Sequence, residues 1–342
     1  MPVQILLRLN RALSVLVVSI AWAASAYADE QRVSTFKPFA RGDVIVAATV
    51  MDDPDDDHRG TGRLLQFGAD LQPKGVLWIE ETTHKIGGLT FAPDGTLWGF
   101  AQIGWQVIEV GTDGKLKPLR SFGTRSFSNI NWAADGSFYM GEHMVGSNRK
   151  IAFNTTEFAY MPFTNRIGDG HVFHFTPDGR LLEEFPTDVH GGMADIHGVT
   201  NAVLSQDGKR IIYISETGNR LMQYDLAARR QLPDLAVYDP TQGGPAMVLF
   251  MTGMPDGRLL ISTGASLMVV EPFSGETLQE IDLGSSGWAA ITPSVEDDVV
   301  LVGNFFTGEF IKLHLGDRKV LARSTINEKN SLSGIAQYGG AR

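Results

Sequence analysis

An all-β fold closed into a ring, a β-propeller of six four-stranded blades, is what three features of the sequence predict. Glycine is abundant, 38 of 342 residues, and follows no three-residue period, which implies many tight turns and hence many short strands. One phrase recurs: an apolar strand, an Asp-Gly turn, a second apolar strand, a polar loop, a third strand, a turn and a fourth strand. The internal copies start near residues 87, 128, 200, 247 and 288, at spacings of about 40 residues that suit propeller blades, except across the third copy, which a long insertion at 142–170 extends.

The chain opens on an address. Arg8 and Arg11 form a basic start, residues 12–24 are apolar except for Ser14 and Ser19, and Ala26-Tyr27-Ala28 is a cleavage site. Residues 1–28 therefore read as a secretory signal, cleaved after Ala28, and the protein is expected in the periplasm. The apolar stretch is too short for a good membrane span and no second long one follows, so no stable span is expected. Residues 29–342 read as a single propeller domain.

The copies follow in order. Residues 88–100 turn at Asp94-Gly95 and continue through a third strand at 105–110 to Asp113-Gly114 and Leu116. Residues 129–140 turn at Asp135-Gly136, 201–214 at Asp207-Gly208, 248–262 at Asp256-Gly257, and 288–302 at Asp297-Asp298. An Asp-Gly pair between alternating apolar runs is a strong hairpin signal. Residues 43–51, 63–67 and 75–79 look like second, third and fourth strands without a first, and residues 332–338 look like a first strand alone. Joining them gives a sixth blade built from both ends of the chain, which closes the ring and removes its open edges. Seven blades is the alternative.

Composition removes several classes of function. The formal charge is −10, with 29 Lys+Arg against 39 Asp+Glu, and cleavage of the signal removes two further cations. Nucleic acid is not an expected partner, because no basic surplus exists to neutralise phosphates. The cysteine count is 0, which excludes disulfides, thiolate metal sites, cysteine nucleophiles and cysteine-attached haem. No Gly-rich phosphate loop sits at a strand-to-helix junction and no G-x-S-x-G is present, so no nucleotide, flavin or haem and no serine-hydrolase elbow are expected.

Two segments break the period. Residues 51–62 carry Asp52, Asp53, Asp55, Asp56, Asp57 and His58, and residues 142–170 lengthen the loop between strands two and three of the third blade. Both belong to the face that also carries the blade-to-blade connections, and extra loops on one face usually carry function. The acidic run suits calcium but lacks the closing Glu of an EF-hand loop, so a solvated acidic loop is the simpler reading. The same face gathers Arg125, Asn129, Glu142, His190, Asp195, His197 and Glu216. His190, Asp195 and His197 can hold a cation, act as an acid–base pair, or simply hydrogen-bond within a polar loop. His171 and His174 are three apart in a strand, point to opposite faces and read as structural. Most aromatic residues of the repeats read as blade packing, while Trp288, at the head of an inner strand, is the one placed to line a pocket.

Residues 201–226, with Asn201, Ser205, Asp207, Tyr213, Glu216, Thr217, Arg220, Tyr224, Asp225 and Leu226, resemble a stretch of the regucalcin/gluconolactonase and strictosidine-synthase-like superfamily. Residues 129–144 are a weaker echo, and NHL-repeat proteins share much of the same phrase. The resemblance implies a six-bladed propeller with a divalent cation (calcium, zinc or manganese) in its central channel and, in many members, hydrolysis of lactones or esters. It places Asn201 on a metal-binding asparagine and Asn129 on a second amide ligand. Two acidic ligands of the family lack counterparts, because Ser333-Gly334-Ile335 and Gly287-Trp288 stand at those blade heads. Either Glu142, Glu216, Asp195 or His197 substitutes, or the channel holds no metal.

Two functional expectations result. One is a metal-dependent lactonase or esterase, with Asn201, Asn129 and Asp195 as ligands and Glu216, His197 or Glu142 as catalytic groups. The other is a non-catalytic propeller that binds a small molecule or a periplasmic protein partner on its loop-rich face. A quinoprotein-type propeller fits least, because the repeats lack a recurring blade-docking Trp motif.

Overall fold

The computed structural model describes residues 32–341 apart from 54–59, 81–85, 102–105, 124, 151–156, 191–197 and 216–217. Residues 35–342 form one compact unit. The expected signal, residues 1–28, lies outside the described residues. Among those described, no helix is long and apolar enough to cross a membrane.

The first blade contains β1 (Val44–Met51), β2 (Gly60–Phe67) and β3 (Pro73–Ile79). The second has β4 (Ile86–Phe91), β5 (Leu97–Ala101) and β6 (Gln106–Val110). The third has β7 (Phe127–Trp132) and β8 (Phe138–Glu142), then a small hairpin of β9 (Val145–Gly146) and β10 (Gly168–Asp169), then β11 (Val172–Phe175) and β12 (Leu181–Phe185). The fourth has β13 (Asn201–Leu204), β14 (Arg210–Ile214), β15 (Arg220–Asp225) and an outer strand split into β16 (Arg230–Gln231) and β17 (Ala236–Val237). The fifth runs through β18 (Phe250–Gly253), β19 (Leu259–Ser262), β20 (Ser266–Val270) and β21 (Thr277–Asp282). The sixth runs through β22 (Trp288–Pro293), β23 (Val299–Asn304), β24 (Glu309–His314) and β25 (Lys319–Thr325). The last strand, β26 (Gly334–Gln337), returns to the first blade and pairs antiparallel with β1, Val44 opposite Gln337 and Ala47 opposite Gly334.

This is a six-bladed β-propeller closed by its first and last strands. The Asp-Gly turns form for a local reason. Gly95, Gly136, Gly208 and Gly257 all sit at positive φ, and each preceding aspartate accepts the amide two residues on, at 2.8 to 3.1 Å. The second blade departs from four full strands. Its outer edge carries only single bridges, Val110 to Leu116 and Val107 to Arg120. Pro118 lies between them and has no N–H to give a ladder.

Six apolar clusters hold the ring, one at each seam. Val44, Leu301 and Phe310 join blades six and one; Ile45, Ile86 and Ile108 join one and two; Trp98, Phe127 and Phe138 join two and three. Val172, Tyr213 and Tyr224 join three and four; Ile214, Met251 and Ile261 join four and five; Leu260, Val269 and Val302 join five and six. Alternate residues of each strand face opposite neighbours, so one blade contributes to two seams. The inner strands β26, β4, β7, β13, β18 and β22 are each in contact with the next and so encircle the axis.

Candidate functional site

The heads of the inner strands of blades three and four lie beside the long insertion. Here the backbone is stitched across the seam. Ser128 Oγ donates to the carbonyls of Val199 and Thr200 at 3.0 and 2.9 Å, and Asn129 Nδ2 donates to the same Val199 carbonyl at 3.0 Å. Val199 N–H in turn donates to Glu142 O at 2.8 Å, and Ser215 Oγ to Gly198 O at 2.6 Å. Asn129 is more than nine-tenths buried, and its Oδ1 finds no donor among the described residues. A buried amide oxygen without a donor is costly and calls for a partner.

Asn201 is engaged at both ends. Its Oδ1 accepts Met251 N–H at 3.0 Å, tying blade four to blade five, and its Nδ2 donates to Thr200 O at 2.6 Å.

Glu142 ends β8 and is fully buried. Arg125 Nη1 donates to its two oxygens at 3.0 and 3.2 Å, and the amides of Asp169 and Gly170 donate to Oε2 at 2.8 Å each. Burial pushes this carboxyl above the usual carboxylate range, while Arg125 and the two amides pull the other way. Arg125 also lies over the Phe173 ring at 4.3 Å and reaches Asp169 at 3.4 Å and Glu184 at 3.9 Å. Asp169 is held by Arg166 as well, at 2.9 Å. The arrangement clamps the far end of the insertion onto β8. A Cβ on Gly168 would stand 2.9 Å from Glu142 Oε1, so only glycine passes so close. The insertion has a core of its own in Met144, Phe158 and Ile167.

Three expected site residues, Asp195, His197 and Glu216, lie outside the described residues, as does most of the acidic run at 52–58. His190 has Arg220 3.4 Å from its Nδ1. Among the described residues no three His, Asp or Glu side chains converge as a metal set. Among the described residues, Asn129 alone of Asn129, Asn201 and Glu142 keeps a side-chain oxygen with no hydrogen bond. His171 pairs with Glu184 at 2.6 Å, whereas His174 stacks on Tyr139 and meets Ser137 Oγ at 2.9 Å. Trp288 lines a cavity of about 390 Å³, with β21 on one side and β24 and β25 on the other.

Sequence reasoning missed Ser128, Asp169 and Gly170. The Asp-Gly pair at 169–170 was the available signal, since it ends the insertion as others end their strands.

No family model matches the sequence, and no curated protein matches it. Solved structures do match the fold. A chain of the crystal structure of the nidogen/laminin complex is similar at 12% identity, TM-score 0.57, over 87% of this chain and 100% of that one. A protein of unknown function from Bacteroides caccae is similar at 8% identity, TM-score 0.60, over 87% and 99%. Streptogramin B lyase is similar at 12% identity, TM-score 0.52, over 86% and 91%. At such identities the likeness establishes the propeller fold and leaves function to the site.

Proposed function

We propose that the protein is an exported, periplasmic β-propeller that binds a small polar ligand at the loop-rich mouth of its channel. One observation carries this reading: Asn129 holds a buried amide oxygen with no partner among the described residues, beside a hydrogen-bonded frame of Ser128, Asn201, Val199 and Glu142. A preformed frame with one open acceptor suits recognition of a ligand N–H or O–H. Glu142, clamped by Arg125 and two amides, serves the frame more naturally than it serves proton transfer.

A second reading is a metal-dependent lactonase or esterase of the regucalcin/gluconolactonase kind. The same Asn129 oxygen favours it, with Asn201 beside it and with Asp195, His197 and Glu216 as the further ligand and catalytic groups. The neighbouring fold of streptogramin B lyase supports an enzyme on this scaffold by analogy alone.

The test is a thermal-shift screen of the mature protein against small polar metabolites, with and without chelator, alongside elemental analysis and a lactone and ester assay. Ligand stabilisation that survives chelation and disappears in Asn129→Ala is the expected result. Stoichiometric metal with chelator-sensitive turnover would replace the binding reading with the hydrolytic one.

A further inference from the structure

The opposite face carries a separate cleft. The inner strands β7 and β13 end there in adjacent Asp-Gly turns, and between them lies a cleft of about 320 Å³ lined by Asn131, Trp132, Leu204, Gln206 and Asp207 among others. The repeat is broken at this point. The two positions that precede the turn by four and three residues hold Thr90-Phe91, Val203-Leu204 and Thr252-Gly253 in other blades, but Asn131-Trp132 here. A planar amide and an indole thus stand together at one blade only.

Their surroundings explain what they leave open. Asn131 Oδ1 accepts Leu204 N–H at 3.1 Å, which joins the two blades. Its Nδ2 is buried and has no acceptor among the described residues. Trp132 is half-buried, packed edge-on against Trp98 at 5.9 Å, and so is held rigidly in the cleft wall. On the facing turn, Asp207 accepts from Ser205 Oγ at 2.6 Å, which orients its carboxylate, and the exposed Gln206 side chain rests over the Gly257 turn of the fifth blade, its amide held there by one long bond of 3.5 Å to Pro255 O, from which it turns back to reach the cleft. The Ser205 hydrogen bond keeps the Asp207 carboxyl below its usual range.

We propose that this cleft binds a neutral sugar, one pyranose ring stacked on Trp132 with its hydroxyls on Asn131, Gln206 and Asp207. Vicinal hydroxyls match planar amides and carboxylates, and the C–H face of a pyranose matches an indole. The cleft volume suits one or two rings. A hydroxyl seated against Trp132, with a slight opening of the cleft, gives the Asn131 Nδ2–H its missing acceptor, removing the penalty of a buried unpaired donor.

The experiment is an NMR titration of the isotope-labelled mature protein with glucose, N-acetylglucosamine, maltose and cellobiose at millimolar concentrations. Saturable shifts confined to residues 131–134 and 204–208 are expected for at least one sugar. Trp132→Ala should weaken that binding about tenfold, the loss of one aromatic contact. Because Trp132 also packs on the core, the exposed Gln206→Ala is the companion variant, expected to weaken binding with an unchanged melting temperature. No shift with any of the four sugars, shifts confined to the loop-rich face, or binding unaltered in both variants would overturn the assignment.

Discussion

Asn129 and Asn201 occupy the same place in consecutive blades, each six residues ahead of its turn aspartate, and reach the next blade through opposite ends of their amides. Asn129 uses Nδ2, on the Val199 carbonyl; Asn201 uses Oδ1, on the Met251 amide. The same residue type in the same register therefore does different work. Asn201 is a strut engaged at both ends, and Asn129 is a strut with one oxygen to offer.

Replacing Asn201 by Ala strands the buried Met251 N–H. We expect a stability loss of about 1–3 kcal/mol, read from the urea midpoint, and the same loss with or without bound ligand. Asn129→Ala should cost stability too, but it alone should also remove ligand stabilisation at the channel mouth. A ligand effect in Asn201→Ala equal to that in Asn129→Ala would show that both amides touch the ligand.

Arg125→Ala leaves the Glu142 carboxylate buried without its counter-charge. The expected cost is about 3–5 kcal/mol, and the paired change of both residues to Leu should recover much of it. Chemical denaturation of the single and double variants decides this.

The pH dependence of Glu142 has a definite sign. Its folded pKa is raised by burial, so the folded state holds a proton that the unfolded state has released once pH exceeds the ordinary glutamate value. Its contribution is thus complete at acid pH and is lost as pH rises through the folded pKa. Relative to Glu142→Gln, the wild type should lose stability across that window. A difference that grows in the wild type's favour as pH rises would mean that Arg125 and the amides outweigh burial.

His174 has the opposite dependence. Burial against Tyr139, at 4.1 Å between ring centres, lowers its pKa below 6.5, with Asp135 opposing the shift. The unfolded chain then takes up a proton first as pH falls, and stability declines from about 6.5 downward. His174→Gln should flatten that part of the stability profile, and the imidazole should titrate below the free value in an NMR series.

Gly141 packs where no side chain fits. A Cβ there would meet Val199 Cγ1 at 2.5 Å and Asn129 Nδ2 at 2.7 Å. Gly141→Ala should cost about 1–3 kcal/mol by overpacking, and Val199→Ala in the same molecule should relieve part of it. A neutral Gly141→Ala would mean that this seam yields more than its geometry implies.

The ring was legible because its signals are local. Asp-Gly with glycine at positive φ reports a hairpin within four residues, and strand alternation reports which side packs, so blade starts and the split blade could be read by counting. Asn129 and Asn201 stand at corresponding places, six residues ahead of their turn aspartates, but they were singled out through the family resemblance and not through that spacing. What Glu142 does was not. Its partners Arg125, Asp169 and Gly170 lie 17, 27 and 28 residues away and come through an irregular insertion, where no period relates sequence to contact. The thin outer edge of blade two was hidden similarly, since the repeat promised a strand and Pro118 withheld the donor.

The closing contact between β1 and β26 has a consequence in time. Val44 and Gln337 meet across almost three hundred residues of intervening chain, so every other blade is synthesised before the ring can shut. Until β26 arrives, the edge of β1 is bare and the seams beside the first blade lack one wall. A ribosome-bound chain is thereby kept from reaching its final closed form early, and a strand shaped like β26, offered in excess as a peptide, would compete for the same edge during that interval.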